Sequence, residues 1–436
     1  MAENSTHSPR TKPASNTTHR KSGVSPESMR NFNLRLLADA IVLAPEPPSR
    51  AELARTTHLN KSTVARLVDY LIKVGLVVED NQVSVGTGRP VTPLRPAPHT
   101  HVAIGAEIGV EGIEACVLDL TGDVIAEEYI GPVFDLSNPN RVISELAATL
   151  ESLTNKINAS KLALIGIACG VPGIITKGTG IANAVPSLGW SNVDIRTSLT
   201  NQSPVLPVTT FDNSVSYAAI AENVCRTKLN DETKNYVYVA GTSGLGAALI
   251  EKASLHRGVN GWSGEIGHTP AEIDGPQCPC GLQGCLELFA GPSTILRAAG
   301  LPTDATIGHL LSSLSKGERI STRAIGNAST YLSRALATYI SIVDVQDVIL
   351  GGFYAQLYDH FSQRVEKQLN SSVLTSQWKP IRVNKALVET HATSIGAAWQ
   401  CLSSFIQQPE NWQAPSTESL EYVSIRNTNE IFVDIE

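Results

Sequence analysis

The chain has 436 residues and 42% hydrophobic content, which allows two or three domains with cores of their own and no dependence on disulfides. No stretch approaches the roughly 18 uninterrupted apolar residues of a membrane span, and no apolar run follows a basic segment at the amino terminus. Outside one cluster, the cysteines stand alone in apolar surroundings, as buried thiols do: Cys116, Cys169, Cys225 and Cys401. These features argue against a membrane or secreted protein and predict a cytoplasmic one.

Charge divides the chain into two parts. Residues 1–99 carry 13 Lys and Arg against 8 Asp and Glu, a net charge of +5. Since the whole chain carries −7, residues 100–436 carry −12. A basic head on an acidic body favours a polyanionic partner for the head, although a solvated basic face has the same composition.

The first 24 residues are rich in Ser, Thr, Asn and Pro and contain few apolar side chains, so residues 1–24 are predicted to be a disordered arm. Its bases could contact DNA phosphates, or the arm could be inert. Three helices are predicted after it. Ser25 can cap the first helix, Ser49 and Glu52 have the spacing of a capping box for the second, and Asn60 can cap the third.

The third predicted helix has two different faces. One face carries an apolar stripe at positions i, i+3, i+4 and i+7, formed by Val64, Leu67, Val68 and Leu71. The other face, near the helix N-terminus, is the part of a helix-turn-helix that reaches base edges in the major groove. With their neighbours, the predicted DNA-binding residues are Arg50, Lys61, Ser62, Thr63, Arg66 and Arg89. A three-helix bundle that docks another protein is the alternative.

A wing is predicted next. The segment LVVEDNQVSV, residues 76–85, contains two short apolar runs around an Asp-Asn turn. In the GTGRP that follows, Gly86 and Gly88 permit close approach of the backbone and Arg89 is held beside Pro90. Such an arginine can enter a narrow, A·T-rich minor groove, whereas a plain linker would leave it solvated. Residues 25–98 are therefore assigned to a winged helix-turn-helix domain.

From His101 onward, short β-rich runs and helices alternate, which predicts an α/β body of two lobes. The first 30 residues of the body predict a meander of three strands. A helix around Val142–Ile157, a strand at LALIGIACG and a final Ala-rich helix near Ser394–Phe405 follow.

A cluster of soft ligands lies in GEIGHTPAEIDGPQCPCGLQGCLE, residues 264–287. A disulfide, a redox dithiol and a metal site all have to be considered for its spacing of H-x9-C-x-C-x4-C. The C-x-x-C of a redox pair is absent. Four N and S ligands suit tetrahedral Zn²⁺ and leave no open position, which favours one structural zinc ion per chain. The predicted ligands are His268, Cys278, Cys280 and Cys285.

The stretches GEIGH and CPCGLQGCLE resemble the signature of the ROK family, which joins bacterial sugar kinases and sugar-responsive repressors. The resemblance covers nearly the whole chain, because PPSRAELART, NKSTVARLVDYLIKVGLV and GTGRP are similar to the winged helix-turn-helix of the family's repressors. It implies a two-lobed, actin-like sugar kinase (ribonuclease H-like) fold behind the head. Lobe 1 would comprise residues 99–211 plus 393–436, and lobe 2 residues 212–392 with the zinc site and a dimer surface.

The same resemblance suggests that kinase activity is lost. A sugar kinase needs phosphate-binding glycine loops and a general base. EIGVE replaces the family's D-x-G-G-T, which puts Glu111 where a Thr would face phosphate, and TSGLG, residues 242–246, has lost a glycine of the second loop. In FDNSVSYAAIAE, Ser214 replaces the Asp that acts as the base. The protein is therefore predicted not to be an enzyme.

The sugar pocket is only partly preserved. Positions that match the family's sugar contacts, and are predicted to bind an effector here, are Asn213, Glu265, His268 and Glu287. Another sugar contact of the family is replaced by Pro186 in AVPSLGW. As an alternative, Glu265 and Glu287 could orient the zinc loop instead.

The prediction is a homodimeric regulator, with a tetramer as the alternative, that binds double-stranded operator DNA and represses carbohydrate genes under the control of a sugar or sugar phosphate. Two rivals remain: a zinc-containing, ATP-dependent sugar kinase with a DNA-binding head, and a regulator that answers to a protein partner instead of a sugar.

Overall fold

The computed structural model describes residues 25–82, 90–131, 135–241 and 244–413. Several sequence predictions concern residues outside these ranges: the arm of residues 1–24, the second wing strand at residues 83–85, Arg89, and the first two residues of TSGLG.

Helices and strands alternate along the chain. The α-helices are α1 (Pro26–Val42), α2 (Arg50–Thr57), α3 (Lys61–Lys73), α4 (Pro139–Ala159), α5 (Ile195–Gln202), α6 (Ser214–Lys228), α7 (Glu287–Ala290), α8 (Pro292–Ala298), α9 (Ile307–Ser315), α10 (Arg319–Val343), α11 (Gly352–Gln356), α12 (Tyr358–Ser372) and α13 (Ala392–Ile406). Short 3₁₀ helices are formed by Ile266–His268, Leu374–Gln377 and Pro409–Asn411. The strands are β1 (Val77–Glu79), β2 (Leu94–Pro96), β3 (His101–Gly109), β4 (Gly112–Asp119), β5 (Val124–Ile130), β6 (Ala163–Val171), β7 (Ile174–Thr176), β8 (Ile181–Val185), β9 (Trp190–Asp194), β10 (Thr209–Asn213), β11 (Tyr236–Ala240), β12 (Gly246–Glu251), β13 (Ser254–His256), β14 (Asp347–Leu350) and β15 (Arg382–Lys385).

The head consists of α1, α2, α3, β1 and β2, and its helices begin where the sequence predicts. The Ser25 side chain accepts a hydrogen bond from the amide of Ser28. Ser49 and Glu52 form the predicted capping box, with the Ser49 amide donating to the Glu52 carboxylate at 2.8 Å. Each cap satisfies an amide that the helix leaves unpaired, so these helix starts are determined locally.

The head strands pair in a way that the sequence analysis did not predict. β1 is antiparallel to β2, with Val77 opposite Pro96 and Glu79 opposite Leu94. The amide of Leu94 also donates to the carbonyl of Pro48 at 2.9 Å. The Leu94 side chain is fully buried in the head core, which explains why the chain returns to β1 at this point.

The first sheet of the body has the order β10-β6-β3-β4-β5. Strands β3, β4 and β5 form the predicted antiparallel meander, while β6 runs parallel to both β3 and β10. Helix α4 packs on this sheet, and so does α13. The carboxyl ends of three parallel strands therefore meet at one edge, which is where α/β proteins place their ligands.

The second sheet has the order β13-β12-β11-β14-β15, with β11, β14 and β15 parallel. Its largest apolar core includes residues of α10 and α12, and a smaller core includes residues of α6. The strands β7, β8 and β9 form a separate antiparallel sheet.

Helices α6 and α13 pack against each other between the two large sheets. At Gly396 of α13 a Cβ atom would lie 1.8 Å from the carbonyl oxygen of Tyr217 in α6, so only glycine permits this approach. Helix α1 of the head shares a core with the carboxyl-terminal half of α13. Among the described helices, none is both long and apolar enough to cross a membrane.

Candidate DNA-binding surface, metal cluster and effector cleft

Helix α3 exposes the side chains that were predicted to read bases. Its buried residues are the four of the predicted stripe, Val64, Leu67, Val68 and Leu71. Lys61, Ser62 and Arg66 are exposed and Thr63 is half-buried. The amide of Thr63 donates to the Asn60 side chain at 2.7 Å, which holds the first turn. Two cations and two hydroxyls therefore share the free face of one helix N-terminus.

Arg50 is engaged elsewhere. Its guanidinium donates to Asp69 of α3 at 2.7 Å and to Glu79 of β1 at 2.9 Å. It also lies 3.4 Å from the carbonyl oxygen of Ala65. These contacts join α2 to α3 and to the wing strand, so the predicted DNA contact of Arg50 would require both ion pairs to open.

The predicted metal ligands converge. Ligand atoms of His268, Cys278, Cys280 and Cys285 all lie within 4.8 Å of one another. The Sγ atoms of Cys280 and Cys285 are 3.6 Å apart, and Nδ1 of His268 is 3.9 Å from Sγ of Cys278. The cluster could therefore hold a metal ion.

Glycines let the loop fold back onto itself. Gly281 and Gly284 have φ values of 94° and 67°, which residues other than glycine rarely adopt. A Cβ at Gly284 would lie 1.7 Å from the carbonyl oxygen of Glu272. Burial and the two neighbouring cysteines raise the pKa of Cys285 to about 12. A bound cation would stabilise the thiolate forms of these cysteines.

The side chain of Asn213 is already committed to the fold. Its oxygen accepts hydrogen bonds from the amides of Val215 at 2.8 Å and Ser216 at 3.3 Å, and thus caps α6. Its nitrogen donates to the carbonyl of Gly173 at 3.1 Å. One N–H of the amide is left to donate to a ligand.

Glu265 and Glu287 are close enough to repel each other. Partial burial and the carboxylate of Glu287 raise the pKa of Glu265 to about 7. Glu287 accepts a hydrogen bond from the amide of Leu245 at 2.8 Å, and a Cβ at Gly244 would lie 2.6 Å from its oxygen. Glu287 therefore holds the second glycine loop. Within the described residues neither carboxylate hydrogen-bonds a side chain of the metal cluster.

Glu107 lies near the end of β3, in the segment EIGVE, and is half-buried, with its Oε1 atom shielded from solvent. Burial and the nearby Glu114 raise the pKa of Glu107 to about 7. Its Oε1 atom and the Oγ atom of Ser214 are both buried with no hydrogen-bond partner among the described residues. Glu111 is exposed at the following turn. Two acidic residues thus lie in the segment that the sequence analysis compares with the first phosphate loop of the kinases.

Sequence reasoning missed a contact between β4 and the start of α13. Nδ1 of His391 lies 2.9 Å from the carboxylate of Glu114, and the Ser394 hydroxyl donates to the same carboxylate at 2.5 Å. Glu114 is one polar residue in an apolar strand and His391 stands alone, so no local pattern indicates their pairing.

Residues 103–403 match the profile of the ROK family, and residues 36–81 match the IclR helix-turn-helix domain. The chain belongs to the ROK family. The fold class predicted from the sequence, a helix-turn-helix head followed by a sugar-kinase-like α/β body, is confirmed.

Two relatives illustrate what this ROK protein is similar to. The xylose repressor of Bacillus subtilis (strain 168) is 27% identical over 379 residues, which cover 87% of this chain and 97% of the relative. The DNA-binding transcriptional dual regulator NagC of Escherichia coli (strain K12) is 25% identical over 370 residues, which cover 80% and 87%.

Solved structures agree on the fold. A ROK family transcriptional regulator, a homolog of the E. coli MLC protein, superposes with a TM-score of 0.71 at 20% identity, and the match covers 87% of this chain and 97% of the other. A ROK glucokinase from Streptomyces griseus, solved with glucose and AMPPNP, has a TM-score of 0.59 at 20% identity, covering 69% and 98%. The kinase thus lacks a counterpart of nearly a third of this chain.

Proposed function

We propose that this ROK protein is a DNA-binding transcriptional repressor of carbohydrate uptake or metabolism genes, controlled by a sugar or sugar phosphate in a cleft inherited from a kinase. The observation that carries the proposal is the exposed face of α3 on a helix-turn-helix head, joined to a ROK body. Relatives named as repressors match 97% of their own length to this chain.

The head would read DNA as part of a homodimer. In each protomer Lys61, Ser62, Thr63 and Arg66 would enter the major groove, and Arg89 would enter the neighbouring minor groove. Two heads related by a two-fold axis match a pseudo-palindromic operator. Phosphate contacts would make the affinity fall steeply with salt. The head of residues 25–98, lobe 1 of residues 99–211 plus 393–436 and lobe 2 of residues 212–392 would be the working units.

Phosphoryl transfer is not expected. A serine hydroxyl at position 214 has too high a pKa to accept a proton from a sugar hydroxyl at neutral pH. Glu107 and Glu111 lie at the first phosphate loop, and none of the ion pairs among the described residues involves Glu107. The phosphates of ATP would meet these carboxylates instead of hydrogen-bond donors.

The effector would bind beside the metal cluster. Glu265 and Glu287 can accept hydrogen bonds from sugar hydroxyls, and the free N–H of Asn213 can donate one. Nδ1 of His268 faces Cys278, which leaves Nε2 for the sugar. A sugar can control the head only if it binds two arrangements of the lobes with different affinity.

The metal would be a structural zinc ion. His268, Cys278, Cys280 and Cys285 would hold it, and a complete set of four protein ligands leaves no position for a substrate. Its role would be to make the wall that carries Glu265 and His268 rigid. The donor set of one imidazole and three thiols fits zinc better than magnesium or calcium, which prefer oxygen.

A second candidate is control by a protein partner in place of a sugar. Two departures from the family pattern favour it, since Pro186 and Ser214 replace side chains that contact sugar in the kinases.

Fluorescence anisotropy of the full-length protein on the DNA upstream of its own gene tests the proposal, at fixed salt, with D-xylose, N-acetylglucosamine, glucose and their phosphates. A tenfold shift in operator affinity by one compound, equal to about 1.4 kcal/mol, supports a sugar effector. Tight DNA binding that no compound changes would favour the protein partner. Phosphorylation of any of these sugars in a coupled assay with ATP would support the kinase instead.

A further inference from the structure

Two adjacent helices begin at or beside residues that are assigned to the proposed effector cleft. Helix α6 is capped by Asn213, a proposed effector contact. Helix α13 begins beside the first phosphate-loop position, where Thr393 donates to the carbonyl of Ser214 at 3.3 Å and Ser394 donates to Glu114 at 2.5 Å. Both helices have 15 residues, so each is about 22 Å long and ends far from the cleft.

The far end of α6 lies at the head. The ammonium group of Lys228 donates to the carbonyl of Thr121 and lies 5.0 Å from the centre of the Trp399 ring in α13. Lys228 also lines a cavity of about 270 Å³ together with Ile41 and Val42 of α1. The last turn of α6 is therefore in the junction between head and body.

The far end of α13 lies directly under the head. Leu402 and Ile406 share an apolar core with Leu34 and Leu37 of α1. Just beyond the helix, Nε2 of Gln407 donates to the carboxylate of Asp39 at 2.9 Å. The burial that accompanies this contact raises the pKa of Asp39.

Backbone contacts leave α13 little room to move alone. Besides the approach of Gly396 to Tyr217, a Cβ at Gly105 of β3 would lie 1.8 Å from the carbonyl oxygen of Ser394. Close-packed backbones cannot adjust as flexible side chains do, so a displacement of one element must displace its neighbours.

We propose that α6 and α13 together carry changes at the cleft to the head, where they alter the packing of α1 and hence operator affinity. This inference rests on the proposed function, because it names the route by which the same cleft controls DNA binding. Such a route requires a helix pair with two arrangements, and both the cleft and the head must shift the equilibrium between them. A measured coupling between the two ends of the helices is the evidence for such a route.

A double-mutant cycle on operator affinity measures that coupling without requiring a known sugar. Ser394→Ala changes the cleft end and Gln407→Ala changes the head end. The two residues are about 20 Å apart along the helix, beyond the roughly 10 Å within which substitutions normally influence each other. We expect the double variant to differ at least threefold from the product of the single effects. Agreement within about twofold would overturn the inference.

Gln377→Ala is the matched control, because Gln377 is exposed on the 3₁₀ helix Leu374–Gln377 and contacts the carbonyl of Leu374 within the same turn. The fold-change in operator affinity of the double variant Ser394→Ala, Gln377→Ala should equal the product of the two single fold-changes. Thermal unfolding of every variant shows whether the fold is retained.

Hydrogen exchange of the α1 amides separates this inference from the proposed function. Ser394→Ala should change exchange in α1 of the DNA-free protein, and should no longer do so when Gln407→Ala is also present. Unchanged exchange would refute the link even if a sugar controls operator binding. If the protein binds no DNA, the proposed function is wrong, and the exchange result still decides the link.

Discussion

The Sγ atoms of Cys280 and Cys285 lie 3.6 Å apart, which is too far for a disulfide bond and close to the separation of two thiolates on one zinc ion. A disulfide places its sulfurs about 2.05 Å apart, whereas two Zn–S bonds of about 2.3 Å at a tetrahedral angle place them about 3.8 Å apart. The distance thus rules out a disulfide between these two cysteines in this structure and is compatible with a metal site.

Replacement of one of these sulfurs tests the zinc site. Cys280→Ser should lower bound zinc from about one ion per chain to nearly none, because three ligands with a weak fourth bind zinc poorly. Elemental analysis of purified protein measures the metal. Control of operator binding by a sugar should also be lost, since the wall that carries Glu265 loosens. Cys225→Ser, in α6 and outside the cluster, should retain the ion. Full zinc occupancy in Cys280→Ser would contradict the assignment.

Base reading by α3 predicts a sequence-dependent loss. Arg66→Ala should weaken operator binding by about 10- to 100-fold, roughly 1–3 kcal/mol, and should affect non-specific DNA much less. Lys73→Ala removes a cation from the opposite end of the same helix and should change both affinities by a similar, small factor. Anisotropy on operator and scrambled duplexes at one salt concentration gives both values. An equal loss on both duplexes for Arg66→Ala would reduce its role to a phosphate contact.

Arg50 is predicted to stabilise the head more than it contributes to DNA binding. Arg50→Ala should lower the free energy of unfolding by about 0.5–1 kcal/mol, because both of its ion pairs are partly exposed and screened by water. Urea unfolding measures this change. The double variant Arg50→Ala, Glu79→Ala should lose less free energy of unfolding than the sum of the losses in the two single variants. If Arg50→Ala lowers operator affinity as much as Arg66→Ala does and leaves stability unchanged, Arg50 contacts DNA instead.

The half-buried carboxyl of Glu107 predicts that the stability of the protein depends on pH. Because the folded protein raises the pKa of Glu107 from 4.5 to about 7, ionisation opposes folding. The penalty begins as pH rises above the unfolded pKa and is complete above the folded one. Glu107→Gln should therefore stabilise the protein by up to about 3 kcal/mol at pH 8 and by much less at pH 5.

Chemical unfolding of Glu107→Gln and the wild type across pH 5–8 provides the measurement. Glu111→Gln removes an exposed charge that adds slightly to the raised pKa of Glu107, so it should shift the pH dependence much less than Glu107→Gln does. If the stability difference between Glu107→Gln and the wild type is constant over this range, Glu107 does not titrate there.

Features governed by near neighbours in the chain were open to prediction. The caps at Ser25, Ser49 and Asn60 depend on amides three residues away, and the apolar stripe of α3 follows from helical periodicity. The four metal ligands lie within an 18-residue stretch whose Gly281 and Gly284 can adopt the positive φ values that the folded-back loop requires. Local chemistry was therefore sufficient for the helices of the head and for the ligands of the cluster.

Contacts between distant segments were decided by the tertiary structure alone. Arg50 looks like a DNA-binding residue until the fold places Glu79 beside it, and Glu114 meets His391 and Ser394 only after the first sheet has closed over α13. The same holds for Asp39 and Gln407, which join head to body. Helix periodicity and capping act over a few residues and are written in the sequence, whereas these pairings depend on how sheets and helices pack, and no local pattern encodes that.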